Sequence, residues 1–439
     1  MMSGTSTMGS EPGAWRKLLA RTLKIELHEV EPVAHGLAMF FLLFAGYFML
    51  RPVRETMGIA GGVNNLQWLF TGTFVATLAA MPLFGWLAGR AMRRRVATWT
   101  LGFFATNLVL FALAFKVNPD NAWIARTFYI WLSVFNLIAV SVCWSVMADL
   151  FRIIEAKRLF ALVAVGASVG GLAGPLLGVA LVGSIGHAGL LLLSAALLAG
   201  TIVAARRLQS WRDRHPLAPA ETLARGRPLG GSPFAGAAQV LRSPFLLGCA
   251  VFVLLLAAST TFLYFEQAHL VQAAFPDRID QTRVFGTIDM IVQSLAVVTQ
   301  LFFTGRIAQR LGVGVLLVAV PLLVAGGFVW LAFAPTFAVL AVVMIARRAG
   351  EYALVRPGRE MLFTVVPAEA KYKAKNFIDT VVYRGADAVS GWLKTVTDLL
   401  AQQPAVAAIV GAAIALAWAA TGAWLTRAQR RLDQAAELD

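Results

Sequence analysis

Along the chain, long apolar stretches alternate with short polar, mostly basic punctuation. A helix of roughly 18 to 25 apolar residues crosses a hydrocarbon core of about 30 Å. Twelve such stretches can be traced, starting near Val33, Leu66, Val96, Ala122, Leu159, His187, Pro244, Arg283, Val313, Pro335, Asn376 and Pro404. The alternation breaks once. Arg206 to Arg242, with HPLAPAETLARGRPLGGSP inside, is too charged and too rich in Pro and Gly to span. Six helices fall on either side of it. The pattern predicts an all-α membrane protein with a tail over 1–30, a six-helix bundle over 31–206 and a linker over 207–242. A second six-helix bundle occupies 243–427, and a short tail 428–439.

Composition agrees. Hydrophobic residues make up 59% of the chain, charged residues 14%, and the mean hydropathy is +0.71, against an apolar share of about 45–50% in soluble domains. Charge then orients the bundle. With both termini on one side, that side's loops carry twenty-six Lys and Arg, and the opposite loops carry only Lys116, Arg278 and Arg283. Loops rich in Lys and Arg stay cytoplasmic, so both termini are expected in the cytoplasm. The net charge of +15 then reads as topology and contact with anionic lipids; no nucleic-acid motif competes with that reading. Cys143 and Cys249 both fall inside spans and imply no disulfide framework. WRKLLARTLKIEL, Trp15 to Leu27, reads as a basic interfacial helix or a disordered tail.

The two halves carry related punctuation. GWLAGRAMRRR ends the second span and TGRIAQRLG the eighth, with Gly89-Arg90 and Gly305-Arg306 lying 216 residues apart. Such parallel repeats mark carriers built from two related halves. The first copy resembles the loop motif of the major facilitator superfamily, with Gly89 in place of the usual acid. In the fifth span, Gly166, Gly170 and Gly174 recur every fourth residue, with Pro175 and Gly178 after them. Small residues at that spacing let helices approach closely; the same run also resembles the later part of the superfamily's antiporter motif.

Nine basic residues lie in or beside the spans: Arg51, Arg54, Arg126, Arg347, Arg348, Arg356, Arg359, Arg384 and Lys394. An ionised group at midbilayer costs about 2.5–3.5 kcal/mol. Arg347, Arg348, Glu351, Arg384 and Asp387 together would therefore cost on the order of 15 kcal/mol facing lipid. They must face one another or water. Arg51 with Glu55 and Arg347 with Glu351 are spaced i,i+4, and Arg384 with Asp387 i,i+3, so each pair shares a helical face. Counting along the spans places Arg51, Arg54, Glu55, Arg126, Glu266 and Asp289 toward the outer mouth. The Arg347/Arg384 group then lies near the middle, with Arg356, Arg359 and Glu360 toward the inside. The planar guanidinium fork suits phosphate or carboxylate, so Arg51, Arg54, Glu55, Arg347, Arg348, Glu351, Arg356, Arg359 and Arg384 are the candidate substrate contacts. Glu266, Asp289, Asp379 and Asp387 are candidate coupling acids. Snorkelling to headgroups is the alternative for Arg356 and Arg359.

These same segments carry a resemblance. LRPVRE at Leu50 to Glu55, CWSVMADLF at Cys143 to Phe151 with EAKRLFALVAVGASVGGLAGP after it, and RPGREMLFTVVPAEAKYKAKNFID at Arg356 to Asp379 resemble the ATP/ADP translocase family of intracellular bacteria and plastids. That family's fold is similar to the major facilitator one. The resemblance implies counter-exchange of nucleotides, with intramembrane charges contacting the phosphates. By position it assigns that role to Arg54 and Glu55, where the family carries a Lys-Asp pair, and to Arg51, Glu351, Arg356 and Arg359.

Other classes fall away. No G-x-x-x-x-G-K-[ST] sequence exists for an ATP-hydrolysing pump. Five histidines show no metal-ligand spacing, and there is no nucleophile elbow. Neither an enzyme nor a cofactor is expected. The expected protein is a monomeric bacterial inner-membrane carrier of a nucleotide or another small anion, working by alternating access. A proton-coupled carrier of a different organic solute, and a non-transporting protein on the same scaffold, are the two alternatives.

Overall fold

A computed structural model describes residues 26–90, 93–151, 153–215, 234, 236–401 and 404–436. The expected basic tail, most of the linker, and the side chains at 83–94 and 152–158 lie outside the described residues.

The described chain is built from helices. In the first half these are α1 (Val30–Ala60), α2 (Leu66–Arg90), α3 (Arg93–Val117) and α4 (Ala122–Leu150). A single run, Ile153–Arg214, completes it and divides at Gly186 into α5 (residues 153–185) and α6 (residues 187–214). Gly186 has φ of 63°, a left-handed conformation that glycine adopts without steric cost. The second half comprises α7 (Pro244–Ala274), α8 (residues 278–311), α9 (Val313–Phe333), α10 (residues 337–362), α11 (residues 368–401) and α12 (Pro404–Ala436). The twelve spans form two six-helix bundles. Among the described residues, eight helical runs, with α5 and α6 counted as one, are long and apolar enough to cross a membrane by composition alone. Charge-rich α10 and α11 are not among them, nor is α2, whose side chains beyond residue 82 lie outside the described residues.

Local chemistry sets the boundaries. Side-chain oxygens of Asn121, Ser243, Asp277 and Thr336 accept hydrogen bonds from the first turns of α4, α7, α8 and α10, satisfying donors that a helix start leaves free. Three helices of the second half contain a five-residue π turn: Gln300–Thr304 in α8, Glu351–Val355 in α10 and Ile378–Val382 in α11.

Each half has its own apolar core. Phe40, Phe104, Phe128 and Phe135 belong to the first, and Phe252, Phe262, Phe328 and Trp418 to the second. A third cluster joins them. It combines Ile59, Leu66, Leu69 and Tyr129 with Phe265, Val271 and Phe285, at the end opposite the start of α1 and the finish of α12. We call this end distal and the other near. The distal seal also includes the edge-to-face rings of Trp68 and Trp392, with centroids 4.9 Å apart, and the chain of hydrogen bonds His187–Thr282–Thr56. The cross-half contacts of Arg278 with Asp120, Trp68 with Trp392, Thr56 with Thr282 and Arg51 with Asp289 run from the distal rim down to Arg51.

Within the first half, α1 and α5 meet backbone to backbone. A Cβ added at Gly166, Gly170 or Gly174 would collide with Leu37, Phe41 or Ala45 of α1. Each small residue thus sits on one turn of its neighbour, as the four-residue spacing predicts.

Candidate functional site

Four helices bring charge to the space between the halves. α1 supplies Arg51, Arg54 and Glu55; α8 supplies Asp289; α10 supplies Arg347, Arg348, Glu351 and Arg356; α11 supplies Arg384 and Asp387. Six guanidinium groups therefore face four carboxylates, and the cluster is basic. Its centre is buried, with Arg347 and Arg348 only 4% and 6% exposed, while the Arg356 side chain is 60% exposed.

The pairing is specific. Arg347 Nη1 lies 2.9 Å from Glu351 Oε2, as the i,i+4 spacing predicts, and donates to Thr260 Oγ1 of α7 at 2.8 Å. Arg356 approaches the other Glu351 oxygen at 3.7 Å and lies over the Tyr352 ring at 4.4 Å. Arg384 and Asp387 are 3.5 Å apart, and Thr261 donates to the same carboxylate. Arg348 Nη2 is 2.5 Å from Asp289 Oδ1.

One expected pair forms differently. Arg51 and Glu55 share a helical face, yet Glu55 is held by its sequence neighbour Arg54 at 3.0 Å. Arg54 lies flat over the Tyr129 ring, 3.8 Å from its centroid, and donates to the Tyr129 carbonyl. That stacking turns its fork back onto Glu55. Arg51 points instead across the interface, toward Asp289 at 3.8 Å and the Tyr352 hydroxyl at 3.4 Å.

The remaining predicted residues sit apart from this cluster. Arg359 pairs with Asp379 and Glu360 with Lys375, both toward the near end. Glu266 is held by Lys394, which also bonds Asp398. Arg126 donates to the Gly61 carbonyl at the distal end, where it caps a loop.

Several partners were not singled out in the sequence. Tyr352 and Tyr129 supply ring faces for two arginines, and Thr260 and Thr261 supply hydroxyls. The threonine pair, a polar step inside an apolar span, was the available signal. Tyr352 owes its place to the α10 π turn. Gln300 and Thr304, in the α8 π turn, donate to the carbonyls of Tyr352 and Ala353 at 2.9 and 2.8 Å, so one irregular turn holds the other. π turns recur at functional positions in helices.

An anion suits this arrangement. Buried Nε groups of Arg347 and Arg348 have no hydrogen-bond acceptor among the described residues, and an unmatched buried donor costs about 1–3 kcal/mol. Phosphate or carboxylate oxygens supply what these forks lack.

Comparison with known proteins places these features in a wider set. The family model described as Major Facilitator Superfamily matches residues 36–383. The ADP,ATP carrier protein 1 of Chlamydia muridarum is 24% identical over 472 residues, covering 92% of this chain and 89% of that protein. The ADP,ATP carrier protein 1 of Chlamydia trachomatis serovar D is 24% identical over 434 residues, covering 84% and 82%. Among solved structures, the nucleoside transporter NupG superposes with a TM-score of 0.64 at 14% identity, covering 90% of this chain and 98% of that one. A bacterial homologue of the iron transporter ferroportin in its inward-facing state gives 0.61 at 13% identity, covering 89% and 98%.

Proposed function

Because the chain belongs to the Major Facilitator Superfamily, we propose that it is a secondary carrier of a small phosphorylated anion, a nucleotide first among them, working by exchange. The carrying observation is the basic cluster between the halves, whose six arginines exceed its four acids and include forks with unmatched buried donors. Arg51, Arg54, Arg347, Arg348, Arg356 and Arg384 capture the anion, while Glu55 and Glu351 hold those forks in place. Arg359 and Asp379 form a gate toward the near end. The relatives' name, ADP,ATP carrier, supports the nucleotide.

The basic near-end loops put that end, with both termini, in the cytoplasm of a bacterial inner membrane. The distal seal is then the outer gate, and the state described is closed outside and open toward the inside. The halves rock about the site, opening the distal seal as the near end closes. The protein works as a monomer with membrane lipids around it. Exchange is favoured over proton coupling because all four candidate coupling acids are engaged by cations: Glu266 by Lys394, Asp289 by Arg348, Asp379 by Arg359 and Asp387 by Arg384.

The test is uptake into proteoliposomes preloaded in turn with nucleotides, other phosphorylated metabolites and unphosphorylated organic acids. Exchange confined to the phosphorylated set is expected; exchange of the unphosphorylated acids alone would overturn the reading.

A further inference from the structure

Asp289 lies between the two halves, 3% exposed, on the face of α8 turned toward α1 and α10. Its two oxygens are used unequally. Oδ1 is 2.5 Å from Arg348 Nη2, in the same half, an ion pair without hydrogen-bond alignment; Oδ2 is 3.8 Å from Arg51, in the opposite half, and accepts no hydrogen bond. Arg51 has one other partner here, the Tyr352 hydroxyl at 3.4 Å. Both of its contacts are long, so its fork is held by charge more than by directed hydrogen bonds.

Among the described residues this is the buried ion pair that crosses between the halves. The other cross-half pair, Arg278 with Asp120, sits at the distal rim with the Asp120 side chain 86% exposed, where such pairs contribute little. Resting on the reading of this cluster as an anion site, we infer that Asp289 is a resident anion, tying Arg51 and Arg348 together across the halves until an entering phosphate group takes those arginines from it.

The chemistry gives this a direction. A carboxylate has two oxygens to share between the forks of Arg51 and Arg348, whereas a phosphate group offers three or more and a larger charge. A phosphate bound there also repels Asp289 at close range through a poorly screened interior. Binding the anion and loosening the Arg51–Asp289 tie are therefore one event. The empty protein stays sealed at its distal end by its own acid, and only a loaded protein is free to open there. Obligatory exchange is the result of that coupling.

Spin labels at Val117 and Phe333, both highly exposed at the distal ends of α3 and α9, read the seal in the full-length protein in lipid nanodiscs. Without solute, Asp289→Asn is expected to shift the distance distribution to longer values, and inorganic pyrophosphate is expected to bind about tenfold tighter than to the original protein, since a competing negative charge is gone. Arg51→Gln cuts the same tie while leaving Arg348 paired, so it gives the same lengthening should Asp289→Asn fold poorly. Unchanged distances in both variants, or weaker pyrophosphate binding by Asp289→Asn, would overturn the inference. Longer distances with no pyrophosphate binding in any form would uphold the tie and remove phosphate from the proposed function.

Discussion

Lys394 on α11 lies 2.9 Å from Glu266 on α7 and 2.6 Å from Asp398 one turn along its own helix. The lysine is 2% exposed, so its ammonium depends on these two carboxylates. Removing one partner of a fully buried pair costs about 3–5 kcal/mol, and here the carboxylates left behind keep 22% and 38% of their side chains exposed. Lys394→Met is therefore expected to lower thermal stability by less than that, and adding Glu266→Gln to recover part of the loss. Undiminished unfolding temperature in Lys394→Met would show that the pair does not hold α11 to α7.

The contact of α1 with α5 makes a second prediction. A methyl group at Gly174 would stand 2.6 Å from the Ala45 carbonyl and 2.8 Å from the Met49 nitrogen, backbone atoms that cannot turn aside. Overpacking of this kind costs about 1–3 kcal/mol. Gly174→Ala is expected to destabilise within that range, and Gly174→Leu to lose folded protein and transport together. Gly326 in α9 has nothing within 4 Å of its added methyl, so Gly326→Ala is expected to gain up to about 1 kcal/mol. Equal thermal stability of the two alanine variants would argue against the tight α1–α5 seam.

For the anion site, Arg348→Ala and Arg54→Ala are each expected to lower exchange by about tenfold or more. A charge-assisted hydrogen bond is worth about 1.5–3 kcal/mol, and each 1.4 kcal/mol is a decade. Arg54→Lys keeps the charge but loses the flat contact with Tyr129, so an intermediate rate is expected. Initial uptake rates, corrected for protein in the membrane, decide the matter; full transport by both alanine variants would remove these arginines from the site.

Energetic coupling separates the two carrier hypotheses. An exchanger is expected to need solute inside the liposome and to continue when a protonophore collapses the pH gradient. Uptake into empty liposomes that stops with protonophore, and with Glu266→Gln, would establish proton coupling instead.

Much of the architecture was legible because spans are long and loops basic, which is a one-dimensional signal. The i,i+4 pairing of Arg347 with Glu351 was legible for the same reason: both lie on one helix. Arg51 was not. Its nearest acid in sequence terms, Glu55, is taken by Arg54, and its own partner stands 238 residues away on α8. Spacing along one helix carries no information about a contact made between bundles. Tyr352 stayed hidden for a different reason, since a π turn shifts the face on which every later side chain emerges.

That shift has a consequence for the repeat itself. Each π turn carries one residue more than an α-helical turn, which rotates the rest of the helix by about 100°. Among the described residues such turns occur only in α8, α10 and α11. RPVRE and RPGRE thus share letters while facing different directions: Arg51 reaches the opposite bundle, whereas Arg356, at the same place in the motif, turns to Glu351 within its own. Two halves alike in helix number thus present unlike faces to the space between them. Deleting Ala353 would restore even pitch to α10 and undo that difference.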